Sequence, residues 1–471
     1  MTENLYLSGN FAPVAEELTA CDLPVTGRIP EELEGRLLRI GPNPIAADPA
    51  SYHWFLGNGM VHGVALRGGR AAWYRNRFVR DDELVAAKGW PAVSGPERAA
   101  ALGGGLANTN VIAHAGRTYA IVEGGNLPVE LSDDLETVRR SDFEATLPGG
   151  FSAHPKRDPD TGELHAAVYA IGAEEIQYVV VGRDGRVRKT VNVPVPGSPM
   201  VHDCALTPNY FVLLDLPVIL DPGVIEQQGG RLESRPTRSE PQASEGGPLH
   251  AGDGQLPYAW HPEYGARVGL LPRDGSAQDV LWREVEPCYV FHPMNAFEDA
   301  DGRVVLDVIR HPQTFASARY RSTEGPPTLD RWILDPRGGP VKEARLDDRP
   351  QEFPRHDERR IGKPYRYGYT IQVGAGFTFE ALLKHDLRDG TTERHQQGPT
   401  RLFMEPVFVP KAEDAGEDDG WVLAYTYDTA TNRSDVVILH AQDFGGAPVA
   451  TIHLPARVPF GFHGNWIPDV L

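Results

Sequence analysis

Four of the sixteen histidines share a local setting that separates them from the rest. His154, His202, His292 and His463 each follow an apolar or small residue, in the segments FSAHP, MVHD, VFHPMNA and GFHGNW. Neutral imidazole is a ligand suited to zinc, copper, nickel or iron. Tens of residues or more separate each histidine from the next, so no local metal motif such as HExxH is present. These residues predict a metal site only if the fold brings distant segments together.

Six other histidines lie among charged residues or near turns. This setting predicts solvent-exposed side chains with no role in metal binding. They are His165, His311, His356, His385, His395 and His440.

Other kinds of reactive site find little support in the sequence. We identify no Ser-His-Asp order, no cysteine nucleophile and no phosphate-binding loop, and the Gly-Asn-Gly at residues 57–59 is too short for a nucleotide cradle. Cys21, Cys204 and Cys288 lie far apart without a CxxC spacing. Neither a disulfide framework nor a zinc knuckle is predicted from them.

The elements that must position the histidines are predicted to be short β-strands. Runs rich in β-branched and aromatic residues occupy residues 117–122, 176–181, 210–216, 304–309, 331–334, 421–427 and 436–439. Asp-Gly or Gly-Gly turns bound them at residues 184–185, 274–275, 301–302, 337–339, 389–390 and 419–420. Asp-Gly between two such runs is a strong hairpin signal. Helical periodicity is scarce, and residues 96–102 (PERAAAL) are the clearest short helix candidate.

Strand–turn–strand repetition over this length predicts an all-β propeller, although no repeated blade motif is visible. The inner strands of a propeller surround one axis, so residues far apart in sequence converge at its end. Each candidate histidine would then come from a different blade. The fold would supply the proximity that the spacing lacks.

The 471 residues are predicted to form a single domain, because β-type sequence of the same character continues throughout. Residues 222–256 contain no Phe, Tyr or Trp and are rich in Gly, Pro, Ser, Gln and Glu, which predicts a long mobile loop. Residues 411–420 (KAEDAGEDDG) predict a short acidic surface loop.

The formal net charge of -19 argues against nucleic acid or an anionic membrane surface as a partner. The N-terminus lacks a basic segment followed by an apolar core, and no apolar run approaches the roughly 18 residues of a membrane helix. These features predict a cytoplasmic protein. They leave open the oligomeric state and a peripheral membrane contact for substrate uptake.

The four histidine segments resemble the ligand motifs of the carotenoid cleavage oxygenase family, which includes stilbene-cleaving dioxygenases and a retinoid isomerase. Further matching motifs follow in the same order along nearly the whole chain. They are residues 27–31 (GRIPE), 37–44 (LLRIGPNP), 57–63 (GNGMVHG), 108–110 (NTN) and 461–464 (GFHG). Several motifs in register make the resemblance specific.

The resemblance implies a seven-bladed β-propeller with a cap of loops and short helices over the metal end. It implies one Fe(II) per chain, held by the four histidines, with O2 as co-substrate. Glu123, Glu352 and Glu405 match the family's glutamates, and a carboxylate on the outer nitrogen of a metal-bound imidazole fixes its orientation and tautomer. Thr109 matches a residue near an open iron position in relatives, and an ordinary turn or strand threonine is the alternative.

The implied reaction is oxidative cleavage of a C=C double bond in an apolar conjugated substrate, giving two carbonyl products. Stilbene-cleaving relatives carry a lysine directly before the first glutamate, where this chain has Val122. An apolar residue there favours a carotenoid or apocarotenoid over a stilbenoid. Three other hypotheses stay open: a polyene isomerase on the same iron site, a propeller lactonase or hydrolase that uses calcium, and a metal-free binding scaffold.

Overall fold

Short paired strands make up most of the structure. The computed structural model describes residues 4–50, 52–96, 105–221, 223, 256–317 and 324–469. In this part of the chain the first strands are β1 (Leu18–Cys21), β2 (Val25–Gly27), β3 (Gly35–Pro42), β4 (Gly59–Arg67), β5 (Arg70–Phe78), β6 (Asn110–His114), β7 (Arg117–Ile121), β8 (Val129–Leu131), β9 (Thr137–Arg140), β10 (Lys156–Arg157), β11 (Leu164–Val168), β12 (Glu175–Val181), β13 (Val187–Pro194), β14 (Ala205–Leu206), β15 (Tyr210–Asp215), β16 (Val218–Leu220) and β17 (Tyr258–Trp260). They are followed by β18 (Arg267–Pro272), β19 (Leu281–Glu284), β20 (Tyr289–Glu298), β21 (Val304–His311), β22 (Thr328–Leu334), β23 (Lys342–Asp347), β24 (Gln351–His356), β25 (Tyr367–Gly374), β26 (Thr378–Asp386), β27 (Thr391–His395), β28 (Arg401–Phe403), β29 (Val407–Pro410), β30 (Gly420–Asp428), β31 (Arg433–His440), β32 (Ala450–His453) and β33 (Gly464–Pro468).

Antiparallel pairing groups these strands into the blades of a seven-bladed β-propeller. Blade I contains β33, β3, β4, β5 and β1, blade II β6 to β9, blade III β10 to β13, blade IV β14, β15, β18 and β19, blade V β20 to β23, blade VI β24 to β27, and blade VII β28 to β32 with β2. The predicted fold is therefore confirmed. Each blade is built mainly from consecutive strands, which is why local hairpin signals predicted so much of it.

Both ends of the chain close the ring. The N-terminal strand β2 pairs with β32 at the outer edge of blade VII. The C-terminal strand β33 pairs with β3 in blade I and contacts β6 and β29, which belong to the two neighbouring blades. The first and last blades are thus joined by strands that lie hundreds of residues from their partners.

The predicted hairpins form where the turn residues lie. Asp301-Gly302 joins β20 to β21, and Gly302 has a φ of +76°, which a residue with a Cβ rarely adopts.

Burial follows the distance from the propeller axis. The first eight residues of the inner strand β20 are all buried, whereas the outer strand β13 alternates between partly buried and exposed positions as far as Val193, which is buried. Inner strands are covered on both faces by adjacent blades, and outer strands border solvent.

One helix was not predicted from the sequence. The helix α1 spans Asp82–Lys88, its N-cap Asp81 accepts a hydrogen bond from the Leu84 N–H at 2.8 Å, and Gly89 ends it with a φ of 65°. These two caps are the available sequence signal, since seven residues are too few to display helical periodicity. The helix predicted at residues 96–102 lies outside the described residues except for Pro96.

A cap covers one end of the propeller. It includes the short 3-10 turn Trp54–Leu56 and the hairpin of β16 and β17, which lies outside the blades. The loop predicted at residues 222–256 lies outside the described residues except for Gly223 and Leu256, and Leu256 is buried. Among the described helices, not one has the length and apolar character needed to cross a membrane.

Close backbone contact fixes the segment that precedes β33. The Phe462 N–H donates to the Ile40 carbonyl and the Ile40 N–H donates to the His463 carbonyl, both at 3.0 Å. A Cβ on Gly461 would lie 2.7 Å from the Ile40 oxygen and 2.9 Å from the Cα of Gly41. The backbone at His463 can approach β3 this closely only because Gly461 has no side chain.

We expect Gly461→Ala to lower the free energy of unfolding by about 1–3 kcal/mol, because the added methyl group overpacks a backbone contact that cannot relax. Thermal melts of both variants at one scan rate would measure the effect. Gly445→Ala is the matched control, since Gly445 is exposed and a Cβ there meets no heavy atom within 4 Å. Equal melting temperatures for the two variants would contradict the account.

Candidate metal centre

The four predicted histidines converge on the propeller axis. His154 and His202 lie just before β10 and β14, His292 lies in β20, and His463 directly precedes β33. One ring nitrogen of each lies within 4.8 Å of the corresponding atoms of the other three. All four side chains are buried, with exposed fractions between 5% and 8%. This arrangement could hold a metal ion.

Three of the four imidazoles donate a hydrogen bond from Nδ1 to a glutamate. His202 Nδ1 lies 2.9 Å from Glu123 Oε1 and His292 Nδ1 lies 2.6 Å from Glu352 Oε2. The third pair joins His463 Nδ1 to Glu405 Oε1 at 2.8 Å. Because Nδ1 carries the proton, the Nε2 lone pair faces inward, and the His202 and His292 Nε2 atoms are 3.3 Å apart.

The four histidines and their three glutamate partners come from seven different blades, one from each. Blades I, III, IV and V supply the histidines. The glutamates come from the remaining three: Glu123 follows β7 in blade II, Glu352 lies in β24 of blade VI, and Glu405 lies between β28 and β29 of blade VII. The whole ring must therefore close before the cluster is complete.

His154 has no glutamate partner. Its Nδ1 is 3.7 Å from Asp203 Oδ2, which is longer than a hydrogen bond, and Lys156 Nζ lies 2.8 Å from Asp203 Oδ1. Its Nε2 is buried without any hydrogen-bond partner. A buried nitrogen without a partner, aimed at three other imidazoles, fits a metal ligand whose bond supplies the missing partner.

Burial keeps two of the imidazoles neutral at neutral pH. Desolvation, with smaller contributions from the neighbouring imidazoles, lowers the pKa of His154 well below its usual value. Desolvation also lowers the pKa of His463 to about 4, although Glu405 opposes the shift. At His202, desolvation lowers the pKa, but the Glu123 carboxylate outweighs it and the pKa is raised overall. Neutral imidazole is the form that binds a metal.

The two fully buried glutamates remain ionised. Desolvation alone would raise the pKa of Glu405, but His463 and Arg355 lower it to about 2. For Glu352, desolvation is outweighed by His292 and His311, so its pKa also lies well below the usual value. Their negative charge lies behind the four imidazoles, at the Nδ1 side of His292 and His463. It offsets part of the charge that a divalent cation would bring.

His311 is the member of this network that the sequence did not identify. Its Nε2 lies 2.7 Å from Glu352 Oε1, while the other oxygen of Glu352 accepts from His292. The prediction that His311 is exposed was wrong, since only 1% of it is accessible. Its partner lies in the next blade, so nothing in the local sequence marks the contact.

The same correction applies to most of the histidines that were predicted to be exposed. Four more are buried in the structure: His165, His356, His385 and His395. His440 is partly buried. Polar residues that pack near a histidine can be its hydrogen-bond partners in the protein interior. His165 Nδ1, for example, lies 2.8 Å from the Tyr178 hydroxyl.

Thr109 contacts the His463 segment and lines an apolar cavity beside the histidines. Its carbonyl accepts from the His463 N–H at 3.1 Å, and its hydroxyl donates to Asn108 Oδ1 at 2.9 Å. The side chain is buried. These contacts show a structural role, and a role for Thr109 toward the metal remains a proposal.

A largely apolar cavity of about 890 Å³, counting the part open to solvent, lies between the histidines and the cap. His202, His292 and His463 form part of its wall. Val122 lies in the same wall, beside Glu123. The apolar and aromatic lining includes Trp54, Phe55, Leu56, Leu106, Tyr169, Met200, Leu256, Tyr258, Phe291, Phe353, Phe377 and Phe462.

A second cavity of about 1440 Å³ reaches the histidines from another side. Three members of the cluster, His154, His292 and His463, form part of the wall of this cavity. Its remaining lining is much more polar and includes Asn110, Lys156, Arg157, Asp203, Asn295, Arg355, Glu358 and Asn465. The cluster thus separates an apolar space from a polar one.

Comparison with known proteins places the chain in a family. Residues 11–468 match the family model described as retinal pigment epithelial membrane protein. A carotenoid cleavage oxygenase of Mycobacterium tuberculosis is 46% identical over 99% of this chain and 98% of its own length. The chain belongs to the carotenoid cleavage oxygenase family, as the sequence motifs indicated.

Solved structures of similar proteins agree with this assignment. Lignostilbene dioxygenase of Pseudomonas brassicacearum superposes with a TM-score of 0.84 at 29% identity, covering 98% of both chains. A cobalt-substituted Synechocystis apocarotenoid oxygenase superposes with a TM-score of 0.81 at 29% identity, covering 97% of both. Both similarities extend over the whole propeller.

We expect Glu352→Gln to weaken metal affinity by roughly 10–100-fold, because the amide no longer provides a charged acceptor for the His292 N–H. Metal content after dialysis and a competition titration with a chelator would measure the change. Glu413→Gln, in the exposed acidic loop, removes a carboxylate that is not part of the cluster and is expected to leave the affinity unchanged. Full affinity in Glu352→Gln would remove this carboxylate from the account.

The role of His311 can be separated by a double-mutant cycle. His311→Phe is expected to weaken metal affinity less than Glu352→Gln, because His292 keeps its own bond to Glu352. The double variant should be no weaker than Glu352→Gln alone, since His311 acts through that carboxylate. Additive losses of affinity would show instead that His311 acts on the cluster by another route.

Proposed function

We propose that the protein is an Fe(II)-dependent dioxygenase that cleaves a C=C double bond of a carotenoid or apocarotenoid to give two carbonyl products. The observation that carries the proposal is that the buried imidazole cluster forms part of the wall of a large apolar cavity. A metal centre and a binding site for a hydrocarbon thus share one space. The relative that shares 46% sequence identity, a carotenoid cleavage oxygenase of Mycobacterium tuberculosis, supports the same assignment.

His154, His202, His292 and His463 are the proposed ligands of one iron ion. Four neutral imidazoles leave coordination positions open for dioxygen and leave the charge of the cation uncompensated. Glu123, Glu352 and Glu405 offset that charge from outside the ring of ligands. Bound Fe(II) would supply the redox chemistry that allows O2 to react with an alkene. The cobalt-substituted neighbour supports a transition metal in a protein of this fold.

The protein's own part in the reaction is binding, orientation and exclusion of water. Transfer of an elongated conjugated hydrocarbon from water into the apolar cavity is favourable by roughly 25 cal/mol per Å² of buried apolar area. Aromatic rings from the cap and from the blades form the walls, including Trp54, Phe55, Phe353 and Phe462. Thr109 lies in the same wall, and we propose that it borders the position where the double bond meets the metal.

The donor atoms argue against the alternatives from other classes. Calcium, the metal of a propeller lactonase or hydrolase, prefers oxygen ligands, and the cluster consists of imidazoles. A metal-free scaffold would satisfy its buried polar atoms internally, whereas His154 Nε2 has no partner. Both alternatives therefore leave a specific feature of the cluster unexplained.

The second candidate substrate is a stilbenoid. The structural similarity to lignostilbene dioxygenase favours it. Val122, which is buried in the cavity wall where the sequence motif of stilbene-cleaving relatives has a lysine, disfavours it. We rank a carotenoid or apocarotenoid first for this reason.

Incubation of the iron-loaded protein with β-apo-8′-carotenal under labelled O2 is the direct test. We expect one C=C bond to break, two C=O bonds to form, and both oxygen atoms of O2 to appear in the products by mass spectrometry. Protein reloaded with Zn(II), which has no redox chemistry, is the matched control and should not turn over. Resveratrol, a hydroxystilbene, is assayed in parallel.

Each contrary result has its own meaning. Turnover of resveratrol alone would replace the carotenoid assignment with the stilbenoid one. A rearranged product without label would replace cleavage with isomerisation. Equal turnover with zinc and iron would overturn the redox proposal.

A further inference from the structure

Buried polar atoms without hydrogen-bond partners lie in the wall of the apolar cavity. Most polar atoms there are hydrogen-bonded: both oxygens of Glu352 accept from histidines, and the Thr109 hydroxyl donates to Asn108. Among the described residues that line the cavity, the Glu123 Oε2, Tyr258 hydroxyl and Trp54 Nε1 atoms are buried without a hydrogen-bond partner. A buried polar group left unpaired costs about 1–3 kcal/mol, so a ligand that pairs with it is favoured.

Tyr258 and Glu123 belong to one region of this wall. Tyr258 begins β17 and pairs with Leu220 of β16, so the cap hairpin places it against the cavity. The Glu123 carboxylate acts electrostatically on Tyr258 and on Tyr169, whose ring packs edge-on against Tyr258 with centroids 6.2 Å apart. Tyr258 is fully buried. Its hydroxyl and the Glu123 carboxylate therefore line the same cavity, within electrostatic range of each other.

The two groups have opposite hydrogen-bonding character. Desolvation, with a smaller contribution from Glu123, raises the pKa of Tyr258, so its hydroxyl keeps its proton and can donate. Oε2 of Glu123 accepts, while its Oε1 is already occupied by His202. Hydrocarbon satisfies neither group, and a carbonyl oxygen satisfies only the tyrosine. A hydroxyl group satisfies both, because it accepts from Tyr258 and donates to Glu123.

We propose that Tyr258 and Glu123 form a binding site for a hydroxyl group of the substrate. The protein would then prefer a ring-hydroxylated apocarotenoid over the corresponding hydrocarbon-ended one. This inference rests on the proposed function for the identity of the ligand, and on the two unpaired atoms for its chemistry. Water could occupy the same position, and the experiment separates the two.

The test compares 3-hydroxy-β-apo-8′-carotenal with β-apo-8′-carotenal, which differ only in the hydroxyl group. Their dissociation constants are measured on the iron-loaded protein without oxygen, by quenching of tryptophan fluorescence, so that no turnover occurs. We expect the wild type to bind the hydroxylated probe about tenfold more tightly or better. In Tyr258→Phe the ratio of the two constants should fall to within about threefold.

Tyr178→Phe is the matched control. It also removes a buried hydroxyl, but that hydroxyl contacts His165 in blade III, and Tyr178 is not part of the cavity wall. We expect it to keep the wild-type ratio. The melting temperature of Tyr258→Phe should equal or exceed that of the wild type, since the lost hydroxyl has no partner in the protein, whereas Tyr178→Phe should melt at a lower temperature.

Two results would overturn the proposal. Equal affinity of the wild type for both probes would mean that only water occupies the position. An unchanged ratio in Tyr258→Phe would mean that other residues recognise the hydroxyl. Failure of the proposed function is distinguishable from both, because the anaerobic preference would then persist while the aerobic reaction yields no cleavage products.

Discussion

Burial of carboxylates at the axis of the propeller is the constraint on which the rest of the structure depends. An ionised carboxylate removed from water is costly unless it is paired and hydrogen-bonded. Glu352 meets this condition through His292 and His311, and Glu405 through His463, the Gly464 N–H at 2.8 Å and Arg355 at 3.4 Å. Satisfying the carboxylates orients the imidazoles, so the geometry of the candidate metal centre follows from the pairing of buried charge.

The distribution of the cluster over the blades links this pairing to ring closure. Each of the three glutamates at the axis receives its imidazole from a different blade, so no blade can satisfy its own glutamate. The last such pair joins Glu405 of blade VII to His463, which precedes the closing strand of blade I. Strand pairing at the two chain ends and charge pairing at the axis therefore stabilise the same closed ring.

The centre separates two environments of opposite polarity. On the side of the cap, aromatic and aliphatic residues form a cavity suited to a hydrocarbon, with Tyr258 and Glu123 as a local polar feature in its wall. The other cavity is lined by charged and amide side chains, among them Lys156, Arg157 and Arg355. His154, the imidazole without a glutamate, belongs to the polar side. An apolar space and a more polar one therefore reach the same group of imidazoles.

The amino-acid sequence by itself determined the local features of this protein. β-Branched runs and Asp-Gly turns identified hairpins, because a hairpin depends on residues that are neighbours in sequence. Motif order identified the family, its four histidines and its glutamates. Only the tertiary structure decided which glutamate pairs with which histidine, that His311 is buried against Glu352, and that Tyr258 and Glu123 share a wall. The reason is physical: these contacts join different blades or the cap, and burial and charge pairing at such separations arise only when the ring is closed.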